Sequence, residues 1–200
     1  MGRNCCITIE RQYGSGGREV AHILAKRLGM PCYGSEILNI TASDNGSSLE
    51  ELKKLDERRT GSLLHDMVLY AFRFQNYNKM QEPFDINKEV SATIRKLAEK
   101  EPCIFIGRCA DVALEGVCDT LKLFIYASSM QERKDRICRV DHVDPDKVEE
   151  AIHKRDSQRG DYYHYFTGRS WMDMEHYDAC LNTSAFGYEG CVDIIRKMVE

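Results

Sequence analysis

A glycine-rich segment, Gln12-Tyr13-Gly14-Ser15-Gly16-Gly17-Arg18-Glu19, carries the clearest chemical signal in the sequence. It follows an apolar run and precedes a helical pattern. The order of strand, glycine loop and helix points backbone N–H groups and a helix N-terminus at one spot, and this spot attracts phosphate. Glycine permits the positive φ angles and the close approach that such binding requires. The residues expected to bind phosphate are Gly14, Ser15, Gly16, Gly17, Arg18 and Glu19. The alternative is that the glycines only make a tight connection.

The loop departs from the motif G-x-x-x-x-G-K-[ST] of common phosphate-binding loops. Gly17 stands where the lysine is expected, and Glu19 is assigned to the place of the magnesium-binding hydroxyl. Arg18 is the cation of this segment, and Ser15 is its aliphatic hydroxyl. Two hypotheses follow: Arg18 supplies the charge from a shifted position, or the loop binds phosphate through its backbone alone and catalyses poorly.

Arg108 follows a third apolar run in the segment Gly107-Arg108-Cys109-Ala110-Asp111. Ligands of parallel α/β sheets bind at the carboxyl ends of strands, so Arg108 would emerge beside the glycine loop if the two strands are neighbours. The alternative is an arginine that caps a turn and pairs with Asp111.

A dense set of arginines occupies the second half of the chain. Its members are Arg133, Arg136, Arg139, Arg155, Arg159 and Arg169. Spacings of three and four residues place Arg133 with Arg136, and Arg155 with Arg159, on common helical faces. Phosphoryl transfer needs guanidinium groups around its developing charge, whereas the alternative is a solvated face paired with carboxylates such as Asp156.

An aromatic group in the last third of the chain would either stack a base or pack the core, and packing is the interpretation we favour. Its members are Tyr162, Tyr163, Tyr165, Phe166, Trp171 and Tyr177. Asp178 borders the last apolar run and is expected to face the ligand crevice. The six histidines lack the spacing of metal ligands, so we assign no metal-binding residue.

Short apolar runs and helical patterns alternate along the chain, which predicts parallel strands with helices on both faces of the sheet. The predicted strands are residues 5–9, 31–33, 103–106, 121–126 and 179–181. Ser129 with Glu132 is a capping box that starts a helix over 129–140, and Asp144-Pro145 predicts the start of the next. Residues 41–100 have no strand pattern and are predicted to be a helical insertion. Its parts are a loop at 43–48 and helical segments at 49–58, 62–79 and 87–100.

Composition excludes several classes of protein. With 200 residues the chain can bury a core without disulfides, and its net charge of -4 gives no reason to expect nucleic acid as a partner. Nine cysteines without C-x-x-C pairs, several of them in apolar runs, suit a reducing compartment. Without a signal peptide or an apolar stretch of about 20 residues, a cytoplasmic protein without a membrane partner is expected.

Taken together, these segments resemble the cytidylate kinase-like family of P-loop proteins. The resemblance runs through the strand and glycine loop at 7–19, through 106–111, 123–127 and Arg155-Asp156, and from 162 to 183. It implies an α/β P-loop fold of the adenylate-kinase type: one domain, a five-stranded parallel sheet, an acceptor-binding insertion at about 41–100 and a short lid at about 136–146. By the same resemblance Arg108 would reach the acceptor phosphate. Of the Asp-Ser-Gly segment typical of these kinases, Gly34-Ser35-Glu36 keeps Ser35 alone.

The function implied is ATP-dependent phosphorylation of a nucleoside monophosphate with Mg²⁺, in a protein that binds small-molecule nucleotides and forms a possible homo-oligomer. The residues expected to act in catalysis are Arg18, Arg133, Arg136, Arg155 and Arg159. Those expected to bind the substrate are Ser35, Arg108, Asp111, Tyr162 and Asp178. Two alternatives stay open, a non-catalytic nucleotide-binding protein of the same fold and a kinase for another small acceptor.

Overall fold

A computed structural model describes residues 5–45 and 77–200, with side chains for 5–44 and 86–200. Five strands form one sheet in the order β2-β3-β1-β4-β5, and every pair is parallel. Their bounds are β1 Cys6–Arg11, β2 Cys32–Tyr33, β3 Ile104–Ile106, β4 Thr120–Tyr126 and β5 Ala179–Asn182. All five lie at the positions predicted from the apolar runs, with ends shifted by one or two residues. The predicted α/β parallel sheet is therefore confirmed.

Helices cover both faces of the sheet. Their bounds are α1 Gly17–Leu28, α2 Glu36–Asn45, α3 Tyr77–Ala98, α4 Ala110–Ala113, α5 Met130–Asp141, α6 Val148–Thr167 and α7 Thr183–Val199, with a 3₁₀ turn at Met174–His176. On one face, α1 and α7 pack against alternate residues of β1 and β4, among them Ile7 and Ile9. On the other face, Ile37 of α2 and Ile94 of α3 pack against Phe105 of β3. Side chains that alternate across each strand thus build a three-layer fold.

The two predicted helix starts had different outcomes. Ser129 caps α5 as expected, because its hydroxyl accepts a hydrogen bond from the Glu132 backbone N–H at 3.2 Å. The predicted start at Asp144-Pro145 was wrong, since α6 begins at Val148. Asp144 instead stabilises a turn, in which its carboxylate accepts a hydrogen bond from the Asp146 N–H at 3.0 Å and its carbonyl accepts one from Lys147.

Helical structure dominates the described parts of the expected insertion. The predicted helix at 87–100 lies within α3 except for its last two residues, because α3 ends at Ala98, whereas α2 was missed and extends into the loop predicted at 43–48. The predicted segment 49–58 and most of 62–79 lie outside the described residues. A hydrogen bond of 2.9 Å joins the Thr41 and Thr93 hydroxyls, which fixes α2 against α3.

The nine cysteines are free thiols, and most are buried or half-buried as the apolar runs predicted. Cys180 is the exception, because it is exposed on β5. Within 5–45 and 77–200, no helix combines the length and the apolarity needed to cross a bilayer.

Candidate active site

Two cavities open at the carboxyl edge of the sheet. Because β1 lies between β3 and β4, the glycine loop after β1 and the Gly107-Arg108 segment after β3 emerge side by side. A cavity of about 440 Å³ lies against the glycine loop and is lined by Gly14, Gly16, Gly17 and Glu19, with Arg136 and Asp141 opposite. A second cavity of about 210 Å³ lies toward β2 and is lined by Glu10, Gly34, Ser35, Arg108 and Tyr162. We call them the loop cavity and the β2 cavity.

The glycine loop is shaped by backbone conformations that other residues rarely adopt. Gly14 and Gly16 both have φ of +79°, and a Cβ on Gly14 would lie 2.8 Å from the carbonyl oxygen of Arg133. Ser15 is buried and turned inward, because its hydroxyl donates to the Gln12 carbonyl at 2.9 Å and accepts from the Gly17 N–H at 3.3 Å. The N-cap residue of α1, Gly16, has no side chain, so apart from the Gly17 N–H that Ser15 binds, the first turn of the helix is available to an anion.

Arg133 holds this loop in place. Its guanidinium pairs with Asp156 of α6, and its Nε donates to the Tyr13 carbonyl at 2.8 Å. Asp156 in turn accepts a hydrogen bond from the Tyr13 N–H at 2.7 Å. Arg133 is buried and lines neither cavity in the part of the chain that the structure describes. The structure therefore places Arg133, expected to act in catalysis, where it positions the loop; it pairs with Asp156 as the alternative interpretation had it, but in a buried position and not on a solvated face.

Four arginines form the wall between the two cavities. Those that line both are Arg11, Arg18, Arg155 and Arg159. The guanidinium carbons of Arg155 and Arg159 lie 5.5 and 5.7 Å from the centre of the Tyr13 ring, within cation–π distance of it. Arg159 also donates a hydrogen bond of 2.7 Å to the carbonyl of Arg11. We refer to these four residues as the arginine wall.

Within the arginine wall Arg11 and Arg159 are half-buried, whereas Arg18 and Arg155 are exposed. Burial lowers the pKa of Arg11, and it lowers the pKa of Arg159 to about 9, where the guanidinium of Arg11 adds repulsion. Arginine stays protonated at neutral pH. The lowered pKa values of Arg11 and Arg159 therefore indicate that burial and mutual repulsion destabilise their charged guanidinium groups. A polyanion between the cavities would relieve both effects.

Glu19 and Arg136 form an ion pair at the rim of the loop cavity. One Glu19 oxygen is buried without a hydrogen-bond partner in the described structure. The assignment of Glu19 to the magnesium-binding hydroxyl was wrong, because that hydroxyl directly follows the lysine in the motif and so corresponds to Arg18. Glu19 and Asp141 are carboxylates that line this cavity.

The β2 cavity collects three predicted substrate-binding residues, Ser35, Arg108 and Tyr162. Arg108 has φ of +70°, a conformation that strains a residue with a side chain by about 1–3 kcal/mol and is concentrated at functional sites. Glu10 is buried in the wall of this cavity and accepts a hydrogen bond of 2.9 Å from the indole N–H of Trp171. Burial raises the pKa of the Glu10 carboxyl, against the opposing pull of Arg11.

Two predicted substrate-binding residues lie elsewhere. Asp111 is a buried residue of α4, where the Tyr163 hydroxyl donates to it at 2.5 Å and burial raises its pKa. Asp178 precedes β5 at the amino edge of the sheet and accepts a hydrogen bond of 2.8 Å from the Lys122 N–H. The ligand crevice lies at the opposite, carboxyl edge of the sheet, so the prediction that Asp178 faces this crevice was wrong. Asp111 supports Tyr163 instead of lining a cavity.

Sequence reasoning missed Glu10 and Arg11. Both stand at the end of β1, in an otherwise apolar strand that is buried on both faces. Two charged residues at the carboxyl end of such a strand, directly before a glycine loop, were the signal that could have revealed them. The aromatic group is mainly core, as favoured: Tyr163 and Trp171 are buried against Phe124, and Tyr162 reaches the β2 cavity.

Comparison with known proteins agrees with this architecture. Residues 6–185 match the model of the cytidylate kinase-like family. Over 97% of its length, the chain is 24% identical to a cytidylate kinase from Methanopyrus kandleri and 26% identical to one from Archaeoglobus fulgidus, covering 92% and 94% of those proteins.

Solved structures with the same fold include an uncharacterized protein from Eubacterium ventriosum, with a TM-score of 0.73, 24% identity and 98% of each chain covered. A shikimate kinase from Bacteroides thetaiotaomicron aligns with a TM-score of 0.53, 11% identity and 97% of each chain covered. These likenesses concern the fold alone, and they agree with the predicted P-loop kinase architecture. Since the family match spans the whole sheet and both cavities, this chain belongs to the cytidylate kinase-like family.

Proposed function

We propose that the protein transfers a phosphoryl group from ATP to a nucleoside monophosphate, using a phosphate-binding loop that lacks the usual lysine. Family membership and the kinase fold support a nucleotide kinase. The observation that carries the proposal is the arginine wall: two neighbouring cavities of different lining share the same four guanidinium groups. A donor and an acceptor that meet at one reacting phosphate require this arrangement.

The loop cavity is the proposed site of the ATP phosphates. The positive φ angles of Gly14 and Gly16 and the first turn of α1 fit a phosphate, which would accept from backbone N–H groups there. Mg²⁺ usually keeps several waters and binds one or two carboxylates together with phosphate oxygens, so Glu19 and Asp141 are the residues of this cavity that would hold it. The ion supplies neutralisation of phosphate charge when bound.

The β2 cavity is the proposed site of the acceptor monophosphate. Arg108 offers a planar guanidinium that can bind phosphate through two hydrogen bonds, and Ser35 adds a hydroxyl on the opposite wall. Burial lowers the pKa of Arg108, as expected of a cation in a site built for an anion. Tyr162, held by a 3.2 Å hydrogen bond from the Asn87 amide, is the aromatic side chain nearest to a bound nucleoside in this proposal.

The reaction forms a bond between an oxygen of the acceptor phosphate and the γ-phosphorus of ATP. It breaks the bond from that phosphorus to the oxygen bridging the β- and γ-phosphates, and ADP leaves with the bonding pair. Negative charge moves across the transferring group during this exchange, and the arginine wall surrounds the path on both sides. Fixed guanidinium groups stabilise such charge without reorganisation at the moment of transfer.

A coupled assay over the common nucleoside monophosphates, with ATP and Mg²⁺, tests the proposal. Arg155→Ala should lower kcat about 100-fold or more while ATP still binds in calorimetric titration, because an interaction made chiefly in the transition state affects rate more than affinity. Arg139→Ala is the matched control, since this exposed arginine on α5 lines neither cavity. ATP binding without transfer to any acceptor would favour a non-catalytic nucleotide-binding protein, and absence of both would end the nucleotide hypothesis.

A second candidate function is a kinase for a small acceptor with a hydroxyl group. Glu10 favours it, because a buried carboxylate in the wall of the β2 cavity can accept a hydrogen bond from a hydroxyl and repels a phosphate. Including small polyhydroxy acids and nucleosides in the same assay separates the two acceptor classes.

A further inference from the structure

The glycine loop lacks the lysine of the common motif. A positively charged side chain nevertheless lies beside the backbone position that the lysine would occupy. Aligned on Gly16, the motif puts its first glycine at position 11 and its lysine at position 17. This chain has the reverse, with Arg11 at the glycine position and Gly17 at the lysine position. We propose that Arg11 replaces the missing lysine as the fixed positive charge of the phosphate-binding loop. The proposal rests on the phosphate-binding role given to the loop cavity above.

Steric contacts make side chains at positions 11 and 17 mutually exclusive. A Cβ built on Gly17 would lie 2.6 Å from the Cβ of Arg11, so side chains at 11 and 17 would start from the same point in space. Real Cβ atoms do not approach so closely, and both atoms belong to the stiff first segment of a side chain. An arginine at 11 therefore excludes a lysine at 17, and the reverse also holds.

A second glycine makes room for the far end of the arginine. A Cβ on Gly107 would overlap Nη1 of Arg11, and Gly107 also has φ of +73°, which favours glycine. The side chain of Arg11 thus runs from Gly17 at the start of α1 to the segment that carries Arg108. This path crosses the boundary between the cavities, and Arg11 lines both.

The position of Arg11 is held from two sides. Its Nη1 lies 3.5 Å from Oε2 of Glu10, and the same oxygen accepts the hydrogen bond from Trp171. Arg159 donates to the backbone carbonyl of Arg11. The side chain is 22% exposed, so one part of the guanidinium meets the cavities while the stem is packed.

Arg18, the candidate from the sequence, is less suited to this role. It also lines both cavities, but it is exposed on the first turn of α1. A mobile exposed cation pays more entropy when it is fixed on a phosphate than one already packed in place. Arg18 would assist by attraction, whereas Arg11 supplies a charge of fixed position.

Exchange of the two positions tests the proposal. Arg11→Met should lower kcat about 100-fold, with the KM of the acceptor changed only a few-fold, and Arg11→Lys should retain part of the activity. Gly17→Lys alone should be inactive because of the overlap. The double variant Arg11→Gly with Gly17→Lys restores the first glycine and the lysine of the common motif and should exceed Arg11→Gly at least about 10-fold. Arg27→Ala, on the last turn of α1, is the control that keeps wild-type activity.

Binding of inorganic tripolyphosphate keeps this test independent of the acceptor. By calorimetry, Arg11→Met should lose at least about 10-fold in affinity, and Arg27→Ala should lose none. If wild type binds tripolyphosphate but transfers no phosphoryl group to any acceptor, the proposed function fails while the role of Arg11 is still decided by this titration. Wild-type affinity in Arg11→Met, or a folded double variant no more active than Arg11→Gly, would overturn the proposal.

Discussion

The two edges of the sheet differ in the kind of polar side chain that they bury. At the amino edge, the buried thiols of Cys5, Cys6 and Cys103 precede or begin strands, and burial raises the pKa of each. These thiols stay neutral and pack as small apolar groups. At the carboxyl edge, β1 ends in Glu10 and Arg11, charged groups that burial disfavours. The amino end of β1 thus stabilises the fold, whereas we attribute the charges at its carboxyl end to ligand binding.

Removal of Arg133 should have the largest effect on stability. Arg133→Ala would leave Asp156 without its partner and release Tyr13 and the glycine loop, and breaking such a pair from one side costs about 3 kcal/mol. Urea denaturation measures this free energy of unfolding. Arg139→Ala on the same helix is exposed and should change it by less than about 0.5 kcal/mol. Equal losses in the two variants would show that the loop is not held by Arg133.

Two glycine substitutions distinguish the effect of backbone strain from the effect of displacing the Arg11 side chain. Gly107 and Gly116 both have φ of +73°, but a Cβ on Gly116 meets nothing within 4 Å. Gly107→Ala and Gly116→Ala should each lose about 1–2 kcal/mol of stability from the left-handed conformation. Gly107→Ala alone should also lower kcat at least about 10-fold, because it displaces the Arg11 guanidinium. Similar kcat values in both variants would contradict the packing of Arg11 against Gly107.

A change at the amino edge should affect stability alone. Cys5→Ala removes a buried sulfur from the core cluster on the α1 and α7 face and should cost about 1 kcal/mol, with kcat within twofold of wild type. Thermal melting and the coupled assay measure the two quantities. Since the nine thiols are free, reductant should leave the melting temperature of wild type unchanged. A loss of activity that matches the Gly107→Ala variant would remove the distinction between the edges.

The smallest effect is expected at a surface ion pair near the start of β4. Arg169 and Lys122 both contact Glu115 and lower its pKa to about 2. Because the folded pKa lies below the unfolded value, this contribution is present above about pH 4.5 and is lost as the pH falls toward 2. Solvent screening keeps it under about 1 kcal/mol. Glu115→Gln should remove this part of the acid dependence in urea titrations at pH 3 and pH 7 and leave kcat unchanged.

The sequence was sufficient for features that depend on local pattern. Alternating apolar runs placed five strands, and the Ser129 capping box placed the start of α5. Arg108 was placed at the ligand crevice because it follows a predicted strand and strand ends meet at one edge of a parallel sheet, whereas Ser35 came from the family resemblance; both line the β2 cavity.

Features that depend on distant partners were not predictable in this way. Asp178 was a different kind of error, because it precedes the predicted strand at 179–181, and in a parallel sheet that position already belongs to the amino edge. Arg133 was misassigned because its partner Asp156 comes from the next helix. Arg11 was overlooked since its contacts, Gly17 and Gly107, become neighbours only in the folded chain.

Titration of a ligand with two nucleosides joined by a polyphosphate tests most directly that the cavities form one active site. The arginine wall predicts binding of one ligand per chain, displacement of both ATP and nucleoside monophosphate, and tighter binding than ATP alone. At a hundred times its dissociation constant, this ligand should stabilise the protein by about 2.7 kcal/mol. Binding no tighter than that of ATP, or simultaneous binding of a nucleoside monophosphate, would contradict a shared site.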